Sequence, residues 1–174
     1  MIPEIEITCR NGTFFINSVT VEQYKKYVRL MEKNESDRIS DMMFFNKRII
    51  QETFGNRMSI AELGEADVVE VLTAAKGIHF IMQNVISEKL LNIVAVEPIE
   101  RETSVFDEYD IDNGYEDEGE PEENAWKVCG EILDRVIKLA IRLFKNSYSQ
   151  CMKEDIVSLL EYLKFELDTG NENQ

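Results

Sequence analysis

The chain has 174 residues, 44% of them hydrophobic, and carries 34 acids against 19 bases for a net charge of −15. That length suits one domain, or one domain with a helical appendage, and the few Pro and Gly argue against a loop-rich fold. Strong negative charge disfavours nucleic acid and anionic membrane surfaces as partners, because phosphate binding needs clustered Lys and Arg.

The first element alternates. Ile5, Ile7 and Cys9 fall on one side, Glu4, Glu6 and Thr8 on the other, and Asn11-Gly12 precedes Thr13-Phe14-Phe15-Ile16. Asn-Gly between alternating runs predicts a β-hairpin, since both residues accept the positive φ of a type I′ turn. A lone hairpin is marginal in water, so its apolar face must lie on helices.

Thr20-Val-Glu-Gln23 is a capping box and predicts a helix start. Val21, Tyr24, Val28 and Met31 then share one face. A second helix is predicted from about Asp37 to Phe54, with Gly55-Asn56 as its stop. Ser59-Ile-Ala-Glu62 is another capping box, heading a short turn. The longest helix follows, from Asp67 to about Val94. Its stripe is Val68, Val71, Leu72, Ala75, His79, Met82, Ile86, Leu90 and Ile93.

From Asp107 to Glu123 the chain holds ten acids and no base, and without them the balance is 24 acids to 19 bases. Such a run cannot bury enough apolar surface to offset its ordering entropy, so it predicts an extended, solvated linker. Beyond it, Trp126, Cys129, Leu133, Val136, Ile137, Ala140 and Phe144 form a further stripe. A third capping box, Ser147-Tyr-Ser-Gln150, opens the last predicted helix, with Met152, Ile156, Leu159, Leu160, Leu163 and Leu167 on its apolar face. The predicted fold is therefore mainly α with a small N-terminal hairpin. Residues 1–98 form a hairpin and helical domain, 99–121 an acidic linker, and 122–170 a C-terminal helical pair.

Little in this pattern suggests chemistry. The three cysteines are far apart with no CxxC spacing, so reduced buried thiols are expected rather than disulfides or zinc. His79 is the one histidine, which leaves no second imidazole for a metal cluster or a nucleophile relay. The acidic run fails as a calcium loop. With Gly114 at the sixth position, Tyr109 and Ile111 fall where oxygen ligands are required. No apolar segment is long and clean enough to read as a membrane span or signal peptide. No catalytic residue, cofactor or metal is expected. Candidate partner-binding residues are the flexible methionines Met42, Met43 and Met82 and the aromatics Phe44, Phe45, Trp126 and Tyr148. Core packing is the commoner role for such positions.

The order hairpin, helices, acidic linker and helical pair resembles the tail assembly chaperones of long-tailed bacteriophages, most of all contractile-tailed phages of Gram-positive hosts. The segments MSIAELGEADVVEVL (58–72) and KNSYSQCMKEDIVSLLEYL (145–163) carry most of the likeness. The resemblance implies a non-enzymatic protein of the host cytoplasm, absent from the finished virion. It would coat the tape-measure protein, keep it soluble and recruit tail-tube subunits through its C-terminal part, with self-association of its copies. An acidic inhibitor or adaptor that binds a host protein is the alternative from another class.

Overall fold

The computed structural model describes residues 2–9, 12–33, 39–53, 58–94 and 124–172, without the side chains of 39–42, 60, 94 and 170–172. The predicted acidic linker lies outside the described residues. In chain order the elements are β1 (Ile5–Cys9), β2 (Gly12–Ile16), α1 (Val21–Glu32), α2 (Ile39–Thr53), α3 (Ile60–Glu65) and α4 (Val68–Phe80). A π-helical segment (Ile81–Ile86) joins α4 to α5 (Ser87–Val94), and α6 (Ala125–Phe144), α7 (Tyr148–Cys151) and α8 (Ile156–Glu172) complete the fold. It is mainly helical with one antiparallel hairpin, as the sequence predicts.

The hairpin register pairs Ile5 with Ile16 and Ile7 with Phe14. Cys9 pairs with Gly12, so Gly12 is the first residue of β2 and not a turn residue as the sequence predicts. Ile5, Ile7, Cys9 and Ile16 are buried against α4 and α3. Close approach depends on Gly77, where an added Cβ would meet Ile5 Cδ1 at 3.2 Å.

All three capping boxes form. Thr20, Ser59 and Ser147 each accept the N3 backbone N–H, and Gln23, Glu62 and Gln150 reach back to the cap. Each satisfies donors that a helix start otherwise leaves orphaned. Gln23 also donates to Thr53 O, tying α1 to the end of α2.

The last predicted helix is two. The Ser147 box opens only the single turn α7, and α8 restarts at Ile156, where Asp155 Oδ1 accepts Ser158 N–H at 2.9 Å. The break has a tertiary cause. Val21 N–H donates to Glu154 O and Glu22 N–H to Met152 O, both at 3.0 Å, while Ile156 N–H donates to Val19 O at 2.9 Å. The interrupted turn thus supplies carbonyls to the unpaired N–H groups that open α1.

The same contacts place residues 124–172 on the N-terminal part. Among the described residues one hydrophobic core takes in Tyr24, Val28 and Ile50 together with Leu133, Ile137, Ile156 and Leu163. Lys25 pairs with Asp134 across α1 and α6, and Lys89 with Glu161 at 2.8 Å across α5 and α8. This shared core joins the helices of the predicted C-terminal pair to those of the N-terminal part.

The long helix keeps its predicted span and most of its predicted stripe, with Val71, Ala75, Met82, Ile86, Leu90 and Ile93 buried. Val68 and Leu72 are exposed, whereas Ala74, Ile78 and Ile81 are buried. At the π segment Ser87 N–H and Ser87 Oγ both donate to Met82 O. One extra residue per turn there rotates the buried face before Ile86, Leu90 and Ile93 continue it.

Candidate functional site

Where α5 meets the start of α6, the packing leaves a half-open groove of ≈ 440 Å³. Ser87, Leu90 and Leu91 form one wall, and Ala125, Trp126, Val128, Cys129 and Ile132 the other. Its size falls within the range of ligand and side-chain pockets.

Local structure explains why the groove is apolar. Asn124 caps α6 by accepting Trp126 N–H at 3.0 Å, and its side-chain amide donates to Glu32 O at 3.2 Å. One residue thereby fixes the start of α6 against the end of α1 and sets Trp126 edge-on to the buried Tyr27 ring, with centroids 5.5 Å apart. The few polar atoms at the groove base are engaged with one another. Tyr24 Oη lies 2.9 Å from Ser87 Oγ and 3.4 Å from Cys129 Sγ, and Ser87 Oγ donates to Met82 O. Burial pushes the Tyr24 hydroxyl and the Cys129 thiol up, so both stay protonated at neutral pH. What faces outward is hydrocarbon, with Leu91 57% exposed at the lip.

Of the proposed anchors, Trp126 alone lines this groove. Met82 is 0% exposed and belongs to the core rather than to a contact surface. Met43 and Phe45 are half-buried against the same core, and Phe44, on the same helix, is 55% exposed. The side chain of Met42 lies outside the described residues. Tyr148 is exposed on the opposite side of α1, with Lys25 Nζ 5.9 Å from its ring centre. The structure therefore does not gather these residues into one site. Leu90, Leu91, Val128 and Ile132 were missed. The sequence does not single out Leu91, because other adjacent apolar pairs, such as Ile49-Ile50 and Ile81-Met82, are buried together.

The titratable groups are otherwise accounted for. His79 Nδ1 and Tyr27 Oη form a 2.9 Å hydrogen bond, and burial holds the imidazole below its ordinary pKa. Cys9 and Cys151 are buried, free and pushed up by burial. Among the described residues no group of three or more His, Cys, Asp and Glu could hold a metal, and no helix is long and apolar enough to cross a membrane. Comparison with family models, curated proteins and solved structures finds no match.

Proposed function

We propose that this chain is a non-enzymatic chaperone of bacteriophage tail assembly. In this reading it covers apolar stripes of the helical tape-measure protein, keeps that protein soluble in the host cytoplasm and brings tail-tube subunits to it. The observation that carries the reading is the α5–α6 groove, a hydrocarbon trough, left half-open among the described residues, with a tryptophan in one wall. A helix laying its apolar ridge in such a trough is a recurring recognition mode, and clustered exposed apolar surface marks interaction sites. The resemblance supplies the particular partner.

One part of the expectation changes. The sequence reading separates a hairpin and helical domain, residues 1–98, from a C-terminal helical pair, 122–170, to which the resemblance gives the recruitment of tail-tube subunits. The groove takes one wall from each segment, so the binding surface in this proposal is composite and needs the full chain.

Co-expression of the full chain with the tape-measure protein tests the proposal. The parent chain should keep the partner in the soluble fraction, and Leu91→Asp should lose that effect while remaining folded by circular dichroism. Insoluble tape-measure protein in both cases would defeat the chaperone reading. Tight capture and inhibition of a host nucleic-acid enzyme instead would favour the inhibitor. Against that alternative, most of the net negative charge falls in one run, the ten acids of Asp107 to Glu123 with no base among them, and the rest of the chain is close to balanced.

A further inference from the structure

We infer that a trough between α1 and the α7 turn binds an acidic peptide segment of a partner protein. No residue lines both this trough and the α5–α6 groove, and the inference does not depend on the chaperone reading.

The sequence sets Glu22, Lys25, Lys26 and Arg29 at i, i+3, i+4 and i+7 of α1, one face of the helix apart from the buried Val21, Tyr24 and Val28. The backbone hydrogen bonds that tie the start of α1 to Met152 and Glu154 bring Tyr148, Met152 and Lys153 against that face. Between them lies a half-open trough of ≈ 400 Å³, lined by four bases and one acid on a chain of net charge −15. Two of the bases are engaged. Lys25 pairs with Asp134, and Lys26 with Glu22 at 3.1 Å and Glu52 at 3.9 Å. Arg29 and Lys153, one on each wall, are exposed and have no carboxylate partner among the described residues.

Carboxylates suit this trough better than phosphate. Phosphate sites are commonly built on free backbone N–H groups at a helix start. Here those groups are taken: Val21 and Glu22 N–H donate to Glu154 O and Met152 O, and Gln150 N–H donates to Ser147 Oγ. What remains is one guanidinium fork, which matches a carboxylate with two parallel hydrogen bonds, and one ammonium. The Tyr148 ring and the half-buried Met152 add apolar contact beside those charges. The occupant therefore carries aliphatic side chains next to its acids, and Met adapts to their shape.

The test titrates the full chain into a fluorescein-labelled peptide that alternates Asp and Glu with Leu, read by anisotropy. The Asn and Gln counterpart of that peptide should bind at least about tenfold more weakly at low salt. Arg29→Glu with Lys153→Glu, both at exposed positions and checked for fold by circular dichroism, should weaken the acidic peptide about tenfold or more. Arg29→Lys with Lys153→Arg keeps the charges and should stay within about threefold of the parent. Lys76→Glu with Lys164→Glu changes the net charge by the same amount at exposed positions outside the trough, and should cost about twofold or less.

Equal losses in the two charge-reversed proteins would reduce the effect to net charge and overturn the site. Inorganic phosphate that displaces the peptide better than sodium chloride of equal ionic strength would overturn the choice of carboxylate. A parent chain that dimerises, and an Arg29→Glu, Lys153→Glu protein that does not, would make a second copy the occupant and overturn the separate partner. Failure of the acidic peptide to bind overturns the inference outright and leaves the α5–α6 groove untouched.

Discussion

Two of the seams along which residues 124–172 meet the rest of the described chain are built differently. At the first, Val19 to Glu22 exchange backbone hydrogen bonds with Met152 to Ile156, and Val19, Val21 and Ile156 are buried. At the second, α5 and α6 approach with a gap between them, and the apolar side chains along the gap stay partly open. The first seam satisfies groups that would otherwise be orphaned, so it holds the fold. The second has already satisfied its polar groups and leaves hydrocarbon uncovered. A protein minimising its own free energy would close that gap; a protein that must cover another helix needs it open.

Breaking the closed seam should have the largest effect. Ile156→Ala removes a side chain that is 0% exposed beside the Val19–Ile156 hydrogen bond, and should cost about 2–5 kcal/mol in denaturant unfolding. A loss below about 1 kcal/mol, the range of surface changes, would mean that the seam does not hold the two segments together. Tyr24→Phe comes next. It deletes the hydroxyl that joins Ser87 to Cys129 under the open seam, and should cost about 1 kcal/mol, with Ser87 retaining its bond to Met82 O.

How legible these seams were in the sequence follows from how local their causes are. The hairpin alternation repeats every two residues and the boxes at Thr20, Ser59 and Ser147 are contacts across three; all of them form, although the Ser147 box opens only a single turn. The break at Met152 to Asp155 was not read, because it answers N–H groups of α1 more than 130 residues away, although Asp155 with Ser158 is a recognisable cap. The π segment escaped for a similar reason. Its Ser87 faces Tyr24, and a strict 3.6-residue stripe placed Val68 and Leu72 inward when they lie outward. Trp126 was readable as an anchor. The opposing wall was not, since Leu91 lies off the stripe and belongs to a different helix.

A smaller effect, beside the open seam, follows from His79. Burial lowers its pKa below 6.5 in the folded protein, so the unfolded chain binds the proton more readily. Stability should therefore be complete above that value and fall as pH drops through it. Between about pH 7.5 and pH 6 the loss should not exceed about 1 kcal/mol, the limit set by one proton, and His79→Gln should flatten it. Urea midpoints at the two pH values measure this. A stability that rose on acidification would show that the imidazole is not held neutral against Tyr27.

The smallest expected change in stability is the one that bears most on function. Leu90 and Leu91 are neighbours on the same wall, 1% and 57% exposed. Leu90→Ala should destabilise by about 2–5 kcal/mol, because it opens a cavity in the core. Leu91→Ala removes the same atoms from the lip, where water already reaches them, and should change stability by no more than about 0.5 kcal/mol. If the groove takes an apolar ridge, the ranking inverts for binding. Leu91→Ala should then weaken binding of a tryptophan-free helical peptide with a Leu/Ile ridge by about 1–2 kcal/mol in a fluorescence titration of Trp126, since a half-open leucine becomes fully buried only when the partner is seated. A Leu91→Ala protein with unchanged stability and unchanged affinity would mean that the gap is merely an imperfection of packing.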